Sequence, residues 1–187
     1  AQKRRAGKLS IPNYITLVRI LLIPFFFTAL LSYQAGQEKY RWIAFALFLT
    51  ASLTDAIDGY WARTTKSQTA LGRFLDPLAD KALLLSGYLG ILFVSALPYR
   101  PPLWITVTIV FRDMIIVIGL ILIFMASGQL KVEPNLAGKL ATAFQMATLV
   151  SILAAHPIAI VLWNITAALT IWSGVSYVFR DFIRLKI

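Results

Sequence analysis

The chain has 187 residues, 59% of them hydrophobic and 14% charged, with a mean hydropathy of +0.75, which leaves too little polar surface for a soluble domain and makes a bilayer the expected solvent. Cysteine is absent, so disulfides, thiolate metal sites and cysteine nucleophiles are excluded. The net charge of +10 sits in clusters at the ends of apolar runs, which points to anionic membrane lipids and a phosphorylated ligand rather than to nucleic acid.

The opening stretch AQKRRAGKLS is basic, and too short and too charged for a cleaved signal peptide. Residues 1–12 are expected to form an interfacial segment, a juxtamembrane amphipathic helix. Six apolar runs follow, near 14–34, 41–62, 76–97, 102–126, 137–155 and 158–179. Each approaches the roughly 20 residues needed to cross a hydrocarbon core. Breaks fall at Gly36 to Lys39, Thr64 to Gly72, Pro98 to Pro102, Gly128 to Pro134, and His156-Pro157. The expected fold is an all-α integral membrane protein of six transmembrane helices, one domain over 1–187, with no internal repeat. His156 reads as an interfacial turn residue with no acid–base role.

Six spans put both termini on one side, and basic residues choose which. With Arg19 and Arg112 set aside as intramembrane, that side carries 13 basic residues (Lys3, Arg4, Arg5, Lys8, Arg63, Lys66, Arg73, Lys81, Lys131, Lys139, Arg180, Arg184 and Lys186). The other side carries three, Lys39, Arg41 and Arg100. The termini and the loop after the second span are therefore expected to be cytoplasmic.

Polar residues inside these runs are costly and mark function. In the first span Asn13, Thr16 and Arg19 share a helical face, with Arg19 either lining a pocket or snorkelling to the interface. The second and third spans meet at DAIDGYWARTTKSQTALGRFLDPLAD, which holds Asp55, Asp58, Asp76 and Asp80, half of the eight acidic residues. Spacing of three to four residues puts each pair on one helical face. Two such helices, antiparallel and facing, make a four-carboxylate cup suited to hard divalent cations. The fourth span carries Arg112-Asp113; the fifth carries Lys139, Thr142 and Gln145 at helical spacing. Trp42, Trp61, Trp104, Trp163 and Trp172 read as aromatic-belt anchors. Gly87, Gly90, Gly119, Ala167, Ala168 and Gly174 read as close-packing positions, some at a dimer contact.

The pattern Asp-x2-Asp-Gly-x2-Ala-Arg-x8-Gly-x3-Asp-x3-Asp, here Asp55, Asp58, Gly59, Ala62, Arg63, Gly72, Asp76 and Asp80, resembles the signature of the CDP-alcohol phosphotransferases, membrane enzymes of phospholipid synthesis. The resemblance implies a phosphatidyl transfer from CDP-diacylglycerol to an alcohol, with release of CMP. It implies two Mg²⁺ or Mn²⁺ ions held by Asp55, Asp58, Asp76 and Asp80, with Asp80 also the general base. Gly59, Ala62 and Gly72 would let the nucleotide approach backbone, Arg63 would fork a phosphate, and Asn13, Thr16 and Arg19 would line the nucleotide side. Lys81, Arg112 and Lys139 would receive the acceptor's phosphate, with Asp113 as partner to Arg112 or Lys139. A homodimer is also implied.

The overall pattern is most similar to the branch that takes sn-glycerol 3-phosphate. One departure favours the related branch that takes phosphatidylglycerol and forms cardiolipin: Arg-Asp replaces Arg-Glu, and IIVIGLILIFMA lacks the further arginine. A different class, an ion-coupled transporter with an intramembrane cation site, fits less well, because the acids lie near one interface and no inverted repeat is visible.

Overall fold

The computed structural model describes the backbone of residues 11–65, 70–127 and 136–184, and side chains within 16–54, 75–119, 121–122, 124–125 and 136–176. Those residues form six helices and no strand: α1 (Ile11–Leu31), α2 (Glu38–Thr65), α3 (Ala70–Phe93), α4 (Leu103–Ser127), α5 (Leu136–Leu153) and α6 (Ala159–Arg184). Each expected apolar run lies within or largely overlaps one helix. The ends differ, because a helix satisfies its own backbone hydrogen bonds and can continue beyond its apolar stretch. Thus α2 reaches Thr65 and α3 runs from Ala70, so Thr64, Thr65 and residues 70–72 of the expected break are helical. Pro77 falls inside α3 rather than near its start, where it withdraws one backbone donor and frees the carbonyl four residues back. Of the expected interfacial segment, residues 1–10 lie outside the described ones; Ile11 and Pro12 instead begin α1, where a proline sacrifices no needed donor.

α3 is the hub. It touches α1, α2, α4 and α5, while α1 packs on α2, α2 on α5, α5 on α6, and α6 on α4. The helices thereby close a ring in the order α1, α2, α5, α6, α4, α3. Its interior holds Phe26, Leu30, Phe48, Leu83, Leu84 and Tyr88 with Ile105, Ile109, Leu149 and Ile152, all essentially inaccessible. Two glycines on α3 permit this closeness. A Cβ on Gly87 would stand 2.9 Å from Leu149 Cδ1, and one on Gly90 would stand 2.4 Å from Leu30 Cδ2. Gly119 and Gly174 have open space beside them among the described residues, so they serve no packing there.

Gly90→Val should therefore overpack the α1–α3 contact at a cost of about 1–3 kcal/mol. The expected result is a lower thermal midpoint in detergent, partly restored by adding Leu30→Ala, with Gly119→Val close to wild type. Equal effects of the two glycine substitutions would refute this account of the packing.

The ends of the ring farthest from the aspartates are tied by hydrogen bonds. Arg41 Nη1 donates to the Leu153 carbonyl at 2.6 Å, joining the start of α2 to the end of α5. Its Nε donates to Glu38 at 2.6 Å, and Tyr33 adds its hydroxyl at 3.0 Å. Arg41, and secondarily Tyr33, hold the Glu38 carboxyl below its ordinary value of 4.5, so this contact persists at neutral pH and is lost as pH falls through that lowered value. The α5–α6 turn is a Schellman motif: His156 N–H donates to the Ser151 carbonyl and Ala155 N–H to the Ile152 carbonyl, at 2.9 and 3.0 Å. Ala155 takes the left-handed position usually given to glycine, with φ of 55°. His156 Nδ1 accepts the Ile158 N–H at 3.2 Å, a turn role in keeping with its sequence reading.

Two windows among the described residues, Leu136–Leu153 and Ala159–Ser176, are long and apolar enough to cross a membrane, and Thr16–Leu31 is a shorter apolar helix. Two tryptophans depart from the belt reading. Trp163 is buried in the core, and Trp172 is exposed in the middle of α6 rather than near its end.

Candidate active site

The aspartate motif spans the end of α2 and the start of α3, two helices in contact and joined by residues 66–69. Asp76 and Asp80 lie one turn apart on α3, both partly buried. Thr16 on α1, itself 1% exposed, donates its hydroxyl to Asp76 Oδ1 at 2.5 Å. That bond orients one carboxylate oxygen of Asp76 toward α1. Arg19, three residues further on α1, is 1% exposed and ranks among the largest fully buried side chains. It therefore faces the protein interior and does not snorkel. The side chains of Asn13, Asp55, Asp58, Gly59, Ala62, Arg63 and Gly72 lie outside the described ones, although their backbones are helical.

Carboxylate oxygens fit a hard divalent ion. Asp76 and Asp80 offer them at one-turn spacing, so the donor chemistry suits Mg²⁺ or Mn²⁺ and would not suit a thiophilic metal. Among the described residues no group of three or more His, Cys, Asp or Glu gathers, the other two motif aspartates lying outside them.

One residue beyond Asp80 a second constellation begins. Lys81 Nζ donates to Asp113 Oδ1 at 3.2 Å and to Thr142 Oγ1 at 3.0 Å. Arg112 Nη1 donates to the same Asp113 oxygen at 2.6 Å, and its Nη2 to Ser173 Oγ at 2.7 Å. One network thus joins α3, α4, α5 and α6. Asp113 is 1% exposed, Lys81 7% and Arg112 9%, so two cations share one carboxylate out of water. Arg112 Nε and Asp113 Oδ2 are buried with no partner among the described residues, as are both amide atoms of Gln145, one turn along α5 from Thr142. Buried polar atoms are rarely left so without a ligand or water.

Of the three cations expected to receive a phosphate, the structure brings together Lys81 and Arg112 but not Lys139, which is exposed and makes no ion pair with a described residue. Asp113 partners Arg112 and Lys81, not Lys139, because the fifth-helix stripe turns Thr142 and Gln145 inward while Lys139 points out. Sequence reasoning missed Ser173. Its signal was present: Thr166, Thr170 and Ser173 repeat at four and three residues along an otherwise apolar helix. Thr166 shares a hydrogen bond with Thr148 at 2.8 Å, and Tyr88 donates its hydroxyl to the Gln145 carbonyl at 3.1 Å, extending the polar seam away from the aspartates.

Residues 9–172 match the CDP-alcohol phosphatidyltransferase family, and the chain belongs to it. It is thus a CDP-diacylglycerol-dependent phosphatidyltransferase of phospholipid synthesis, a family generally dependent on a divalent metal. It is 33% identical over 183 residues to a probable phosphatidylglycerophosphate synthase of Mycobacterium tuberculosis, covering 94% of this chain and 83% of that protein. It is 35% identical over 195 residues to the CDP-diacylglycerol–glycerol-3-phosphate 3-phosphatidyltransferase of Bacillus subtilis, covering 95% and 97%. The like-named protein of Haemophilus influenzae is 33% identical over 178 residues, covering 91% and 92%.

Proposed function

We propose that this phosphatidyltransferase uses sn-glycerol 3-phosphate as its acceptor, forming phosphatidylglycerophosphate and CMP from CDP-diacylglycerol. The observation that carries the reading is the buried cluster in which Lys81 and Arg112 share Asp113. Its surplus positive charge favours an anion, and the acceptor's phosphate supplies one while its hydroxyl reaches back toward Asp80. The relatives named for glycerol 3-phosphate support the same acceptor. The arginine missing from α4 is answered by Lys81, which brings the second cation from α3 instead.

Asp55, Asp58, Asp76 and Asp80 are the residues that would hold two Mg²⁺ or Mn²⁺ ions. When bound, those ions supply positive charge against the pyrophosphate and the departing CMP oxygen. Asp80 removes the proton from the acceptor hydroxyl. That oxygen bonds to the phosphorus carrying diacylglycerol, and the bond from this phosphorus to the CMP oxygen breaks. Thr16 holds Asp76 in place, while Asn13, Arg19, Gly59, Ala62, Arg63 and Gly72 form the nucleotide side. Lys139, exposed on α5, steers the acceptor inward.

In this reading the protein is one membrane domain of six spans over 1–187, with residues 1–12 on the membrane surface and the aspartates and both termini cytoplasmic. Large apolar side chains exposed on α1, α4 and α6, such as Phe25, Phe111, Met125 and Trp172, support lipid around the ring. Anionic lipids and a second copy of the chain complete the set of partners.

Phosphatidylglycerol is the second reading, favoured by Arg112-Asp113 in place of Arg-Glu. The test supplies CDP-diacylglycerol and Mg²⁺ or Mn²⁺ with one acceptor at a time. CMP release with glycerol 3-phosphate alone is expected; release with phosphatidylglycerol alone would overturn the assignment.

A further inference from the structure

At the opposite end of α3 from the aspartates a cavity of about 280 Å³ is lined by Ile91, Leu92, Arg100, Pro101, Leu103 and Thr106. Along the helix axis Ile91 is about 22 Å from Asp76, at 1.5 Å per residue, so the cavity is separate from the active site. Two of its residues have hydrogen-bonding capacity to spare. Thr106 is 1% exposed, and its buried hydroxyl has no partner among the described residues. Thr108, two residues on, instead donates to the Trp104 carbonyl at 2.7 Å, the usual outlet for a helical threonine. Arg100 uses only Nη2, on the Ile91 and Leu92 carbonyls at 3.4 and 3.3 Å, long contacts that hold the guanidinium over the end of α3. Its Nε and Nη1 have no described partner, and no acidic residue pairs with it among the described residues.

The surroundings define the ligand. Ile91, Leu92 and Leu103 give the cavity apolar walls, and Phe93, Leu103 and Trp104 beside it are 71%, 68% and 57% exposed. An exposed cation at a recess of mixed polar and apolar lining, with a buried hydroxyl that has no described partner in its wall and exposed aromatic and aliphatic side chains next to it, matches a lipid phosphate with its acyl chains alongside. We propose that this cavity binds one anionic phospholipid of the leaflet opposite the active site. Its phosphate takes hydrogen bonds from Arg100 and Thr106, and its chains run against Phe93 and Leu103. The proposal rests on the six-span arrangement of the reading above, but not on the identity of the acceptor alcohol.

The test purifies the full chain from vesicles of equal parts phosphatidylcholine and phosphatidylserine, then counts co-purifying lipid per chain by native mass spectrometry. Wild type should retain about one phosphatidylserine more than Arg100→Gln. Loss of a charge-assisted phosphate contact predicts about ten-fold weaker retention in Arg100→Gln, with a smaller loss in Thr106→Val. Thr106→Val keeps the shape of the side chain, so it serves if Arg100→Gln frays the end of α3. Equal retention by all three proteins, or retention of phosphatidylcholine as readily, would overturn the proposal. Displacement of the lipid by an equal concentration of inorganic phosphate would also overturn it, in favour of a site for the free ion. CMP release measured on the same samples separates this outcome from failure of the catalytic reading.

Discussion

Asp80→Asn is expected to lower turnover by about 10²–10⁴-fold, the usual contribution of a positioned general base, while leaving much of the CDP-diacylglycerol binding intact. Asparagine keeps the shape of the side chain and one oxygen donor but cannot accept the acceptor's proton. The distinction lies in separating the two effects. Single-turnover CMP release should fall, whereas the thermal shift produced by CDP-diacylglycerol and Mn²⁺ should persist. If both were lost together, Asp80 would be acting as an ion ligand only. Near-normal turnover would remove it from the proton transfer altogether.

The second large effect is expected at Asp113, which receives both Lys81 and Arg112. Asp113→Asn leaves two buried cations without a countercharge, and breaking such a pair from one side costs about 3–5 kcal/mol. The thermal midpoint should drop sharply. The phosphate of glycerol 3-phosphate can supply the missing negative charge, so this acceptor should raise the midpoint of the variant more than that of wild type. Glycerol, which lacks the phosphate, should not. Equal shifts in the two proteins would mean that the acceptor binds elsewhere. Ser173→Ala removes only one neutral acceptor from Arg112, and should cost about 1 kcal/mol.

The helices were legible because apolar runs of bilayer length separated by proline, glycine and charge leave few alternatives. Their ends were not, since nothing in Thr64 or Leu71 says how far a helix extends beyond its apolar run. The family was legible from eight residues of fixed type and spacing, Asp55 to Asp80. The second constellation was half legible. Arg112-Asp113 stood out as charge within an apolar run, but which cation would answer Asp113 depends on the rotation of α3 and α5, which spacing within one helix does not fix. Lys81 and Lys139 looked equivalent in sequence, yet one is buried against Asp113 and the other is exposed. Ser173 and the hydroxyl of Thr16 were harder still, because their importance lies in partners 61 and 60 residues away.

In the proposed reading, the adjacency of Asp80 and Lys81 on α3 links the two substrates. Successive residues on an α-helix point about 100° apart, so in that reading one short stretch of backbone presents a carboxylate to the acceptor's hydroxyl beside the metal site and an ammonium to the acceptor's phosphate. A small roll of α3 about its axis therefore moves both groups together, like two teeth of one gear. If the acceptor's phosphate holds Lys81 in one orientation, it selects the same orientation for Asp80, and the nucleotide lipid meets a prealigned carboxylate. Linkage makes this reciprocal: the factor by which glycerol 3-phosphate tightens CDP-diacylglycerol is the factor by which CDP-diacylglycerol tightens glycerol 3-phosphate. Replacing Lys81 should then uncouple the two affinities, an effect distinct from weakening either one.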